Sequence, residues 1–341
     1  MLRKFFKYYF IALTAIMLFT ACNKEVSDGN NFVLYNNDVR NDTTWSTGSL
    51  ASTGIQRMLD STSVYKHNDT MMGTNAKTIA FSDKFSVYFP ANAFVSNTGD
   101  SIKGPVEIKL LLLDEKGEFI RTVKSSENPS HMLESDLAFC IIATANGEEL
   151  KIAPGKKYLI RAGNKYELVK QQMKIYSGEE SVTYTSQVLA DPQFYWKESN
   201  PMNVQQSVYK TNNGSRDIEH YEITTNQLRW MAIAAPNNNL GSTNKLHVLL
   251  PPNFTNKNTV VFATADDYNT VIQLMPDLSS RSFKSDMIPQ QKKIHIITLS
   301  LIGNQFYYSE TGYSYLNNKI YVSIKPEKKS LAAILNSLKK L

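Results

Sequence analysis

Two cysteines in 341 residues, Cys22 and Cys140, are too few for a disulfide framework, so the fold must be held by apolar burial. The five histidines, His67, His131, His220, His247 and His295, are scattered. No His-x-x-x-His, no paired cysteines and no His-Glu-x-x-His occurs, which removes local support for a zinc or metalloprotease site. A Gly-x-Ser-x-Gly elbow, a Walker loop and a dinucleotide fingerprint are also missing. No apolar stretch reaches the roughly 20 residues that a spanning helix needs. No run of Lys and Arg interleaved with aromatics is present to follow a nucleic acid. The net charge of +6 is modest, and part of the excess is local, in Lys325, Lys328, Lys329, Lys339 and Lys340.

What is present begins at the N-terminus. Arg3, Lys4 and Lys7 precede an apolar run from Tyr8 to Phe19, and Thr20-Ala21 sets small residues before Cys22. This is the order of a removable signal peptide over residues 1–21, whose loss takes three positive charges away. Leu18-Phe19-Thr20-Ala21-Cys22 resembles the lipobox of bacterial lipoproteins, with Phe19 in place of the usual aliphatic residue. The resemblance implies that the Cys22 sulfur receives a diacylglycerol and its freed amine an acyl chain such as palmitate. At about 0.8 kcal/mol per buried methylene, two or three chains make the attachment effectively permanent. Lys24-Glu25 and Asp28 resemble the charged export signal of surface lipoproteins of Bacteroidota. The expected location is therefore the outer membrane, with cell-surface display favoured over a periplasm-facing position.

From Cys22 to about residue 75 the chain is rich in Asn, Asp, Ser, Thr and Gly, a composition that cannot bury enough surface to offset its ordering entropy. It is expected to be a disordered tether, with Phe32 to Tyr35 or Ile55 to Leu59 as the segments that could dock. Beyond it, short runs of β-branched and aromatic residues recur: Thr78 to Phe81, Phe85 to Phe89, Val106 to Leu113, Leu137 to Ala143, Tyr158 to Arg161 and Ser181 to Val188. Asn97-Thr98-Gly99-Asp100, Glu115-Lys116-Gly117, Asn146-Gly147 and Pro154-Gly155 supply turns. A second set starts after Pro201 and ends with Ile320, Val322 and Ile324 alternating with Tyr321 and Ser323, the period of a half-buried strand. Leu331, Ile334, Leu335, Leu338 and Leu341 then fall at helical spacing, a stripe expected to dock on its own domain.

Val87 to Phe94, Gly104-Pro105-Val106-Glu107-Ile108, Met132-Leu133-Glu134-Ser135 and Asn146 to Lys156 together resemble the ZU5-like β-sandwich modules of exported Bacteroidota proteins. The resemblance covers Phe85 to Ala162. It implies an interaction scaffold; the self-cleavage of some members needs a His-Phe-Ser that does not occur here. The expected fold class is all-β, with two consecutive β-sandwich domains. The expected division is signal peptide 1–21, tether 22–75, ZU5-like sandwich 76–200, second sandwich 201–325 and C-terminal amphipathic helix 326–341.

Chemistry is sparse. Cys140 lies in the apolar run Leu137 to Ile142 and is expected to be a buried structural residue. Asp114-Glu115, Glu118, Glu134 with Asp136, and Asp266-Asp267 are expected in solvated turns. Loop calcium and a hydrolase with its acids on separate strands are the alternatives. Trp196, Trp230, Tyr307, Tyr308, Tyr313 and Tyr315 are the candidate binding residues, because exposed aromatic platforms hold sugars and partners. No cofactor and no metal are expected. The reading is a noncatalytic lipoprotein that acts as a protein-interaction or assembly module of the envelope. Its expected partners are the membrane, through the lipid on Cys22, and another envelope protein or a surface glycan, with no nucleic acid. A glycan- or matrix-binding surface protein is the alternative, and a hydrolase comes third.

Overall fold

The computed structural model describes residues 42–47, 67–164, 168–180, 194–202, 204–212, 217–237, 241–290, 292–313 and 321–341. The signal peptide, Cys22, Phe32 to Tyr35, Ile55 to Leu59, Ser181 to Val188 and Tyr315 lie outside the described residues. The chain is all-β, with two short helices among the described residues, α1 (Lys116–Arg121) and α2 (Leu331–Leu338).

Three large sheets build it. In the middle sheet the strands run in the order His67–Met72, Pro105–Leu113, His131–Ala145, Arg229–Pro236, Lys174–Glu179 and Tyr195–Glu198, each antiparallel to the next. The outer sheet orders Val204–Asn212, Asp217–Thr225, Tyr158–Ala162, Phe85–Phe89 and Lys77–Ala80. The distal sheet orders Tyr321–Ser323, Thr243–Leu249, Ser282–Pro289, Val271–Asp277, Thr259–Ala265, Ile294–Ile302, Gln305–Tyr313 and Glu327–Lys328.

The middle sheet is covered on both faces. In His131–Ala145, Leu137, Phe139, Ile141 and Ala143 enter the core shared with the outer sheet, where Val87, Phe89, Ile160 and Ile223 meet them. The alternate residues Ala138, Cys140 and Ile142 enter a second core shared with Val260, Phe262, Ile297 and Leu299 of the distal sheet and with Ile334 and Leu338 of α2. Arg229–Pro236 divides in the same way, with Met231 and Ile233 on one side and Trp230, Ala232 and Ala234 on the other. A strand buried on both faces has no polar alternation to show, which is why these segments read as continuous apolar runs.

The distal sheet closes a third core by curling on itself. Leu246, Val248, Phe283 and Val322 from one half meet Val261, Ala263, Ile272 and Ile296 from the other. The corner is Val271–Asp277: Val271 to Leu274 pair with Thr259–Ala265, whereas Met275 to Asp277 pair with Ser282–Pro289. One strand thus serves both halves. The C-terminal helix docks as its stripe requires. Ser330 caps it through Ala333 N–H, and Ile334 and Leu338 are buried. Gly117 of α1 touches it, where an added Cβ would lie 2.0 Å from the Leu338 carbonyl oxygen.

Two expected boundaries move. The strands Val204–Asn212 and Asp217–Thr225 pair along their whole length in the outer sheet, and Arg229–Pro236 lies at the centre of the middle sheet. The strands that follow Pro201 therefore still belong to the first sandwich, and the two sandwiches divide between Pro236 and Thr243 rather than at 200/201. The expected tether is ordered at two places. His67–Met72 pairs with Pro105–Leu113, and Trp45 packs on Phe283 with ring centroids 5.2 Å apart while Asn256 bonds both main-chain groups of Ser46. Glu115-Lys116-Gly117, expected as a turn, opens α1.

One charged group anchors the start of Arg229–Pro236. Arg229 adopts φ 71°, a region that ordinary side chains avoid. Its guanidinium donates to Glu180 at 2.5 and 2.8 Å and to Glu149 at 2.9 and 2.8 Å. The three side chains are only 12 to 21% exposed. Removing the cation strands two enclosed carboxylates, so Arg229→Ala is expected to destabilise the fold by about 3–5 kcal/mol. Lysine cannot reproduce the fork and should recover only part of the loss. Urea denaturation of the three proteins checks this, and a cost below about 1 kcal/mol for the alanine variant would dismiss the anchor.

Candidate functional site

The three acidic loop segments that stand far apart in the sequence converge at the seam between the sandwiches. Asp114, Glu115, Glu134, Asp136, Asp266 and Asp267 line one cleft of about 220 Å³, together with Lys116, Lys170 and Ser135. Each position has a local cause. Asp114 and Glu115 follow the end of Pro105–Leu113, and Asp266 and Asp267 form the turn between Thr259–Ala265 and Val271–Asp277.

Asp136 is placed by a bulge. Ile233 pairs with Leu137 and Ala234 with Ser135, so Asp136 is the extra residue and its side chain leaves the ladder. It is 7% exposed and well satisfied. Tyr221 Oη donates to it at 2.6 Å, Asn164 Nδ2 donates at 2.7 Å, and Lys170 Nζ lies 3.2 Å away. Burial, reinforced by Asp136, holds the Tyr221 hydroxyl well above the ordinary tyrosine range. Burial works against the Lys170 charge, but Asp136 and Glu134 outweigh it and leave this ammonium above the usual lysine value.

The opposite wall is equally organised. Lys116 Nζ donates to the carbonyls of Ala265 at 2.6 Å and Asp266 at 3.2 Å. Asp266 accepts from Lys293 at 2.7 Å and faces His295 Nε2 at 2.8 Å; the Lys293 bond is the main reason its carboxyl sits below the usual range. His295 Nδ1 reaches Glu310 at 3.2 Å. Asn269 joins the walls, since its carbonyl accepts from Ser135 N–H at 3.1 Å and its Nδ2 donates to the Ser135 carbonyl at 2.9 Å. Ser135 is 2% exposed, and its Oγ has no hydrogen-bond partner. Among the described residues no group of three or more His, Cys, Asp or Glu side chains is arranged to hold a metal ion. The acids share a cleft without chelating geometry.

The expected aromatic platform is elsewhere. Trp196 and Trp230 are 1% and 2% exposed, edge-on to Phe194 in the core between the middle and distal sheets. Their indole N–H groups donate to the Ser125 carbonyl at 2.7 Å and to Glu180 at 3.0 Å. Tyr308 is also buried, its hydroxyl on Glu310 at 2.9 Å. Double coverage of the middle sheet leaves Trp196 and Trp230 no solvent face, and α2 closes over Tyr308. Tyr307 and Tyr313 are half-buried, the former edge-on to Phe254. Cys140 is fully buried, and burial pushes its thiol far above the ordinary range, as suits a structural residue.

The seam also holds Lys124, fully buried, with Nζ 4.1 Å from the Phe194 ring centroid and 4.9 Å from that of Trp230. Three residues further on, Glu127 Oε2 accepts from Gln273 N–H of the distal sheet at 3.1 Å. Neither Lys124 nor Glu127 is marked by any motif.

Compared with models of known families and with curated proteins, the sequence matches none.

Glu127 makes the seam sensitive to pH. Burial of its carboxylate, only partly offset by the bonds from Gln273 and Ser125, raises it from 4.5 to about 7. The folded state therefore binds the extra proton between those values. The stabilisation is complete below about 4.5 and is lost as pH rises through about 7, on the order of 3 kcal/mol at most. Glu127→Gln should leave the melting temperature nearly unchanged at pH 4.5 and raise it by several degrees at pH 8. Equal shifts at the two pH values would remove Glu127 as the cause.

Proposed function

We propose that this chain is a noncatalytic, lipid-anchored module of the outer membrane that binds a partner protein through the cleft at its sandwich seam. The observation that carries the reading is the convergence of acidic loops from both sandwiches, separated by as much as 150 positions in the chain, on one organised cleft. Burying or exposing such a cleft is not needed for folding, whereas partner recognition uses this combination of fixed charges on a rigid scaffold. Burial of Trp196, Trp230 and Tyr308 takes three residues out of the aromatic platform that favoured glycan binding, so protein recognition stands first.

The anchor part of the reading rests on the residues around Cys22. Cells fed a labelled fatty acid should incorporate it into the wild-type protein and not into Cys22→Ser, which should leave the membrane fraction. The partner part is tested by affinity purification of the lipidated protein from gently solubilised membranes of its own host. A stoichiometric protein should accompany it. Recovery of the protein alone, under conditions that preserve other envelope complexes, would remove the partner reading, and incorporation of label into Cys22→Ser would remove the anchor.

A further inference from the structure

Resting on that reading, we propose that the seam cleft receives one cationic side chain, a lysine or arginine, of the partner. Six carboxylates line the cleft against two lysines. The lysines are engaged, Lys116 by main-chain carbonyls and Lys170 by Glu134 and Asp136. Asp266 is compensated by Lys293 and also contacts His295 Nε2. Asp114 and Asp267 are left with no hydrogen bond or ion pair among the described residues, so the cleft carries uncompensated negative charge.

The second observation is independent of charge. Ser135 lines the cleft, almost wholly buried, with an Oγ that no group of the described residues satisfies. A buried hydroxyl without a partner costs about 1–3 kcal/mol, and a donor entering the cleft would relieve it. An ammonium brings three N–H donors and a guanidinium five, with no acceptor. Either one brings enough donors for Ser135 Oγ, Asp114 and Asp267, which all line the cleft.

Size and geometry narrow the choice. About 220 Å³ is below the roughly 300–1,000 Å³ of pockets for drug-sized ligands and suits a single inserted side chain. A bare divalent ion is disfavoured because the acids do not converge as ligands. A sugar would leave the charge of Asp114 and Asp267 unanswered. The one aromatic at the cleft, Tyr268, has Lys292 over its ring at 5.0 Å in place of a free stacking face.

The test titrates the full lipidated protein in detergent with the capped peptides Gly-Arg-Gly and Gly-Lys-Gly, and with Gly-citrulline-Gly as the neutral isostere of the first. At least one cationic peptide should bind in the millimolar range or tighter, weaken with added salt, and bind at least tenfold more tightly than the citrulline peptide. The double variant Asp114→Asn/Asp267→Asn should lose at least tenfold, with its melting temperature confirming the fold. Ser135→Ala should lose a few-fold. Equal binding of the citrulline peptide, full binding by the double variant, or no binding of either cationic peptide would overturn the inference. So would saturable binding of calcium or N-acetylglucosamine that the double variant abolishes. A copurifying partner that the double variant retains would overturn it too, while leaving the proposed partner binding intact.

Discussion

Everything in this molecule depends on the middle sheet being buried on both faces. Leu137, Phe139 and Ile141 face one core, while Ala138, Cys140 and Ile142 face another. An ordinary sandwich of this size would end at its second sheet. Here the second sheet becomes the floor of a second core, which the distal sheet and α2 complete. Small residues at Ala138, Ala232 and Ala234 leave room on that floor for the bulk of Trp196, Trp230 and Phe119. The two sandwiches are thereby one compact unit, residues 43–341, and the loops at their seam are held in fixed relation.

That apolar contact is flanked by polar stitching. Ser126 and Val271 exchange hydrogen bonds at 2.6 and 3.2 Å, Thr270 Oγ1 donates to the Leu133 carbonyl at 3.0 Å, and Asn269 pairs with Ser135. Main-chain groups at the seam cannot reach water, so each needs a partner from the opposite sandwich. Apolar burial provides the affinity between the layers, and this stitching sets their register. The same register, with Asn269 tied to Ser135, brings Asp266 and Asp267 to the cleft that Glu134 and Asp136 line.

Much of the fold was legible in the sequence. Asn146-Gly147 adopts φ 53° and 82° at the tip of a hairpin, Phe85–Phe89 stops before Pro90, and Val322 and Ile324 are buried while Tyr321 is exposed. Strands without a strong apolar pattern were not legible. Val204–Asn212 is a polar edge strand, and Ser282–Pro289 interrupts its apolar residues with Lys284 and Asp286. The domain boundary went astray for a related reason, since a polar hairpin and a linker share a composition. Trp196 and Trp230 read as surface groups because one-dimensional pattern cannot count the layers above a strand. The cleft acids were visible one segment at a time, but their meeting depends on contacts between residues more than a hundred positions apart.

The contact between Gly117 and Leu338 has a temporal side. Synthesis delivers α1 about two hundred residues before α2, and Ile334 and Leu338 belong to the same core as Leu111, Phe119 and Cys140. Until the distal sheet and α2 emerge, the first sandwich carries an uncovered apolar floor of the kind that draws incomplete chains into aggregates. Completion of that core therefore waits for α2, long after the strands of the first sandwich have been made.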